Sequence, residues 1–330
     1  MLSLQPANGL FLLLLTSRIS QFPKSHQKAK QVLGKFPKKK SLFGRTLKVA
    51  NLLFLTISLF YSGCVFQARR PTPTPNKSPT IQKVEQEKET DAGDFLLEYG
   101  TSQKPELFEY EKYLRENKTL EKAVDRLNRS LILPQNVLIK IKECGEANSF
   151  YDSSQKQVTL CFEMIQYFEE LFRQADSSKT TESYTESEES RKKAFDAMKF
   201  VFLHEISHAL IDVYQLPITG NEEDAADRLS SIICLEKLGE EGVQSILAIA
   251  DAFKIEAKRK PFKTRNLADE HLMQEQRAFV SLCMIYGSDP NKYSYIAKKY
   301  LPADRTQSCL SEYEKILRSW SGLLEKWQKD

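Results

Sequence analysis

The first 63 residues contain no aspartate or glutamate, against ten lysines and arginines. That absence places the basic excess of the chain at one end. The formal net charge is +4, yet residues 64–330 hold 38 basic and 44 acidic side chains, a balance of −6. A phosphate-binding surface needs the opposite sign, so no nucleic-acid partner is expected. Histidine is scarce, with four in 330 residues. No internal repeat occurs, and no cysteine spacing suits a cysteine-based zinc site. What remains is ordinary: 41% hydrophobic and 28% charged residues fit a soluble globular protein of one large domain or two small ones.

The N-terminal end reads as an export segment. The basic stretch 38-KKKSLFGRTLK-48 precedes the uncharged apolar run 49-VANLLFLTISLFYSG-63, and Cys64 follows directly. A basic region, a short apolar region and small residues before a cleavage point mark a secretory signal. The run is short for a comfortable membrane span. Ser62-Gly63-Cys64 resembles the lipobox of bacterial lipoproteins, in which the cysteine is lipidated, although Tyr61 stands where leucine is usual. The alternative is a simple N-terminal membrane anchor with an incidental cysteine. Residues 1–37, with a second apolar run at 10-LFLLLL-15, fit neither reading, and a translation start nearer 40 would account for them. Residues 64–93 alternate proline with polar residues and then turn to charge, which predicts a disordered tether. The folded domain is expected over 94–330.

Within that domain the apolar spacing predicts a helix over 105–130, a strand at 137–144, a second strand at 157–161 and a turn at 148–155 between them. Residues 162–175 read as helix and 176–190 as a surface loop. From 191 onward the pattern is helical, with breaks at Pro217, Gly239, Pro261, Pro290 and Pro302. The fold class is therefore α+β and mostly helical. Besides Cys64 there are five cysteines, an odd number. Cys144 and Cys161 lie symmetrically about the expected hairpin turn and are assigned as a pair. Cys283 and Cys309 would then link two late helices, leaving Cys234 as a buried thiol. If the chain is not exported, all five are reduced core residues instead.

Two of the four histidines stand in 203-LHEISH-208, as H-E-x-x-H. On a helix His204 and His208 share one face, one turn apart, and converge on one cation. Glu205 lies about 100° round the helix, within reach of a water on that ion without being a ligand. Chance placement gives such a match about once in 150 chains of this composition, so the motif carries weight. A catalytic zinc needs a third protein ligand and one open position. The turn 214-YQLPITG-220 would fold a second helix back on the first, and Glu223 and Asp227 share a face of it. Glu223 is assigned as the third ligand and Asp227 as acceptor for the far nitrogen of a ligand histidine. Asp227 or Glu222 on the metal are the rival assignments. Glu222 and Asp224 otherwise read as solvated acids favoured by the helix dipole.

The Glu223-x-x-x-Asp227 arrangement after H-E-x-x-H resembles that of gluzincins, the thermolysin-like zincins, with a shorter connection between His208 and Glu223. The wider pattern resembles a family of metallopeptidases of unknown function, carried by 143-ECGEANSFYD-152, 160-LCFEMI-165, 203–230, 268-ADEHLMQEQRAFVSLCMIYGSDP-290 and 301–320. The resemblance implies a zincin-like fold, with a small β-hairpin or sheet packed on the active-site helix, and zinc-dependent peptide hydrolysis. It also implies a role for His271 in stabilising the oxyanion, with Arg277 or Tyr286 as alternatives. Against that stands a purely structural network of Asp269, His271 and Arg277. By the same analogy the hairpin, with Asn148 and Tyr151 near its turn, would pair with the substrate backbone.

The leading expectation is a membrane-tethered, extracytoplasmic zinc peptidase acting on peptides or proteins. The alternative is a non-catalytic surface lipoprotein whose structural zinc site supports binding of envelope or host partners. A zinc hydrolase acting on a non-peptide bond, such as a cell-wall amide, is a third.

Overall fold

The computed structural model describes residues 90–176, 184–259 and 269–329. Cys64, the export segment and most of the expected tether lie outside these residues. Among the described residues no helix is long and apolar enough to cross a membrane. Asp91, Ala92 and Gly93 are hydrogen-bonded to Leu133, which carries the folded unit slightly upstream of 94.

The chain begins with β1 (Phe95–Tyr99), α1 (Pro105–Asn117) and α2 (Thr119–Ser130), followed by β2 (Val137–Lys142), β3 (Ser149–Asp152) and β4 (Gln157–Cys161). Helices α3 (Phe162–Asp176), α4 (Tyr184–Val213) and α5 (Glu222–Ile233) come next, and α5 runs into a π-helical turn, Cys234–Leu238. Then come α6 (Glu240–Arg259), α7 (Gln274–Ser288), α8 (Ser294–Tyr300) and α9 (Ala303–Leu324). This is the expected mostly helical α+β, zincin-like arrangement: a small sheet lies against the helix that carries H-E-x-x-H.

The sheet order is β1-β2-β4-β3. Period-2 alternation builds it: Val137, Ile139 and Ile141 of β2 are buried, while Leu138, Lys140 and Lys142 are partly exposed. The expected hairpin is corrected in one respect. β2 and β4 are parallel neighbours, and the antiparallel partner of β4 is β3, in the stretch read as a turn. The actual turn is 153–156. Asp152 Oδ1 accepts from the backbone N–H groups of Ser154 and Gln155, and Lys156 takes a positive φ of 51°. The pairing Cys144–Cys161 still holds, because Lys142 and Cys161 are in register across β2 and β4. Cys283–Cys309 is also bonded, joining α7 to α9, and Cys234 is a buried free thiol.

Two helical expectations also change. The single helix over 105–130 is two helices, parted at Lys118, which adopts the left-handed conformation with φ 50°. A lysine there gives no glycine-like signal. The loop over 176–190 is shorter, because α4 already starts at Tyr184. Its early turns hold the exposed Glu188 and Glu189, so apolar periodicity is missing where helix is nonetheless formed.

Further along, α4 is apolar nearly all round, with Ala194, Phe200, Phe202, Ile206, Ala209 and Leu210 buried. A helix of that kind belongs in the interior. It is packed by α3, α5, α6, β3 and β4. Any polar side chain on it is therefore removed from water and must find a partner or a cleft.

Next to the first disulfide, Glu163 at the start of α3 accepts from the backbone N–H groups of Cys144 and Gly145 and pairs with Lys104. Burial pushes its carboxyl up, but those donors hold it below the usual carboxylate range. A folded pKa below the unfolded one stabilises fully above the unfolded value, about 4.3. That stabilisation is lost as pH falls through the folded value. Glu163→Gln is expected to cost about 1–3 kcal/mol at neutral pH. In urea melts across pH, the gap to the wild type should close under acid conditions.

Candidate metal centre

The H-E-x-x-H segment lies in the last third of α4. The chain then reverses through 214–221, where Gln215 takes a positive φ of 49°. Asn221 caps α5, its side chain accepting from the Asp224 backbone N–H at 2.9 Å. Three acids, Glu222, Glu223 and Asp224, fill the first turn of α5, where the helix dipole favours them. The reversal brings that acidic turn over the two histidines.

The sequence-predicted groups converge. His204 Nε2 lies 3.0 Å from Glu223 Oε2, and His208 Nε2 lies 3.4 Å from the same oxygen. The two Nε2 atoms are 3.1 Å apart. On the far side of each ring stands a carboxylate. His204 Nδ1–H donates to Asp227 Oδ1 at 2.9 Å, and His208 Nδ1–H donates to Glu222 Oε1 at 2.9 Å. Of the three acids weighed for the inner position, Glu223 is the one on the Nε2 side. Asp227 takes the outer position expected of it. Glu222, read from sequence as a solvated acid, orients His208 instead.

This wiring decides what the cluster can hold. A carboxylate only accepts, so a neutral ring with its proton on Nδ1 turns its Nε2 lone pair inward, while a ring protonated on both nitrogens also donates to Glu223. Two lone pairs and a carboxylate oxygen then face one another at 3.0–3.4 Å. Such a set of acceptors repels itself unless a cation or added protons lie among them. Electrostatics agree. Burial opposes protonation of His204, but Asp227 and Glu223 raise it to about 9. Burial would also raise the Glu223 carboxyl, yet the three surrounding imidazoles hold it well below the usual carboxylate range.

The third of those imidazoles is His271, in the loop before α7. Its Nε2 lies 2.9 Å from Glu223 Oε2, and its Nδ1 lies 3.2 Å from Asp269 Oδ1. His204, Glu223 and His271 offer ligand atoms all within 4.8 Å of one another. The expected structural network of Asp269, His271 and Arg277 is thus split. His271 faces the cluster, while Arg277 forms a bidentate pair with Asp227 at 2.8 and 2.9 Å, its guanidinium over the Phe253 ring. Tyr286 packs against the hydrophobic core.

Glu205 is buried, and among the described residues its carboxylate forms no hydrogen bond. Burial pushes its carboxyl up, only partly offset by His204 and His208. It lines a cleft of about 910 Å³ together with His204, His208, Glu223 and His271. The far wall is Asn148, Ser149, Phe150 and Tyr151, so β3 borders the site. Tyr151 donates its hydroxyl to Asp212 on α4, and Lys156 pairs with the same carboxylate. Asp212 was not singled out in the sequence. A second cavity, about 590 Å³ and mainly apolar, lies among Leu120, Phe202, Leu229 and Trp320 and holds none of these groups.

Asp227 is buried against Arg277. Burial opposes its ionisation, yet Arg277 and His204 hold it well below the usual carboxylate range. Asp227→Ala would leave the buried guanidinium unpaired, and a loss of about 3–5 kcal/mol in chemical denaturation is expected.

No curated protein and no solved structure gives a significant match to the chain. A family model described as "Putative metallopeptidase" matches residues 99–324. That range runs from the last residue of β1 to the last residue of α9 and includes every group of the cluster, so the chain belongs to this metallopeptidase family.

Proposed function

We propose that the chain is a zinc-dependent metallopeptidase, tethered outside the cytoplasm, in which Glu205 serves as general base and then general acid. The observation that carries this reading is a buried carboxylate without a hydrogen bond, opening on a cleft beside three inward-facing donor atoms. Tetrahedral zinc with ligands at roughly 2.0–2.1 Å places its donors about 3.3 Å apart. The His204, His208 and Glu223 spacings of 3.1, 3.0 and 3.4 Å fit that size. When bound there, zinc supplies Lewis acidity and makes a water acidic near neutral pH.

The protein's own groups do the remainder. Asp227 and Glu222 hold His204 and His208 in the tautomer that leaves Nε2 free. Glu205, mostly buried but facing the cleft and raised in pKa, takes a proton from the attacking water and returns it to the leaving amine. β3 offers its outer edge to an extended peptide, by addition of a strand. Export and lipid attachment at Cys64 rest on the sequence, and two disulfides in one domain suit an oxidising compartment.

The second reading, a surface lipoprotein with a structural zinc clasp, has one observation on its side: His271 Nε2 stands beside Glu223, and a closed donor set marks structural sites. Against it, a clasp has no use for a buried, unbonded carboxylate on an open cleft.

Glu205→Gln is expected to retain zinc and to lose hydrolysis of a broad peptide library by on the order of 10²–10⁴-fold. A fully active Gln variant would refute the mechanism. Glu222→Ala should leave the melting temperature unchanged and weaken zinc by roughly 10-fold in chelator competition, since it removes the acceptor that orients the His208 ring.

A further inference from the structure

We infer that the apolar cavity between α2 and the metal-bearing helices is a binding site for a free fatty acid, a single alkyl chain with one carboxylate head. The cavity shares no lining residue with the cleft that holds His204, His208 and Glu223.

Its volume is about 590 Å³, within the range of pockets that take one small molecule. Packed interiors hold few spaces larger than a water, so a cavity of this size between helices is a built feature. The inner wall comes from α4, α5 and α9, through Phe202, Leu229 and Trp320, each of them buried. The outer wall is α2, which packs chiefly on β1 and lines the cavity with Leu120 and Leu127. The π-helical turn Cys234–Leu238 contributes Lys237 and Leu238. Such turns are rare and are frequent at functional sites.

The wall selects the body of the occupant. A peptide or a sugar would bring N–H, C=O or hydroxyl groups that apolar side chains cannot pair. An alkyl chain brings none, and it gains from burial alone.

The rim selects the head. Four cations line it, Lys122, Arg126, Lys199 and Lys237, against two carboxylates, Glu236 and Glu241. Lys199 is satisfied by Glu241 at 2.8 Å and by Asp196 at 3.0 Å. Glu236 is then the one lining carboxylate left to the other three cations, an excess of two positive charges. Lys122 and Arg126 stand one turn apart on the exposed side of α2, and neither forms an ion pair among the described residues. A positive rim on an apolar cavity complements an anion carried on an alkyl chain, and a guanidinium can grip a carboxylate through two parallel hydrogen bonds.

The test titrates the full chain with dodecanoate, dodecanol and dodecylamine, and separately with phosphatidylglycerol vesicles. Calorimetry and Trp320 fluorescence are the readouts. Of the two tryptophans, Trp320 lines the cavity, while Trp327 is stacked on Tyr214. Dodecanoate should bind at a single site, more tightly than the alcohol or the amine. From octanoate to dodecanoate, affinity should rise roughly fourfold for each added methylene. Ala123→Phe fills the cavity from the half-buried face of α2 and should abolish binding without lowering the melting temperature. Joint replacement Lys122→Glu and Arg126→Glu should weaken dodecanoate by roughly tenfold and spare dodecanol. If Ala123→Phe does not fold, this charge-reversed variant decides. Equal affinity for the three head groups would overturn the inference. So would unchanged dodecanoate binding in Ala123→Phe, which would place the carboxylate elsewhere, the metal centre included. A response to the vesicles without one to dodecanoate would overturn it in favour of a membrane surface, and a wild type that binds none of the four would end it.

Discussion

Everything in this domain that bears on chemistry depends on one crowding of acceptors. Two imidazole lone pairs and a carboxylate oxygen are forced within 3.4 Å of one another, in a place water cannot fully reach. Left alone, such an arrangement is repulsive, so the protein must hold it together from behind. It does so with carboxylates on the outer ring nitrogens, and in one case with a guanidinium behind the carboxylate. The apolar body of α4 supplies the low dielectric that makes those outer bonds strong. The sheet matters less for stability of the cluster than for shape: it closes one wall of the cleft with a strand edge.

Much of this was legible in the residues, and the reason is periodicity. His204 and His208, Glu223 and Asp227 stand at helical i, i+4 spacing, so each pair declares a shared face before any fold is known. Pro217 and Gly220 announce the reversal between the two helices, and the reversal is what brings the faces together. Both disulfides were also recoverable, although the reasoning behind the first was only half right. Cys144 and Cys161 were paired across a hairpin that does not exist; they close the ends of two parallel strands instead.

What sequence reasoning missed was set by contacts between distant segments, or by strands too short to show a pattern. β3 is four residues, Ser149–Asp152, bracketed by polar neighbours, and it reads as turn because its one strong signal, the Asp152 side chain capping the next residues, marks its end. Glu222 looks like any acid at a helix N-terminus until His208 is placed beside it. Arg277 and His271, six residues apart, point to different partners, a division that only the packing of α7 against α5 determines.

The Asp227–Arg277 pair has a consequence of its own. Two opposite charges so deeply enclosed enter the interior together or not at all, and they lock α5 to α7 through bonds that involve no ion. The scaffold around the donors is therefore assembled by the polypeptide itself. In this respect the domain differs from small zinc modules whose folding waits for their metal. The bonds that join these two helices would hold with or without an ion among the donors.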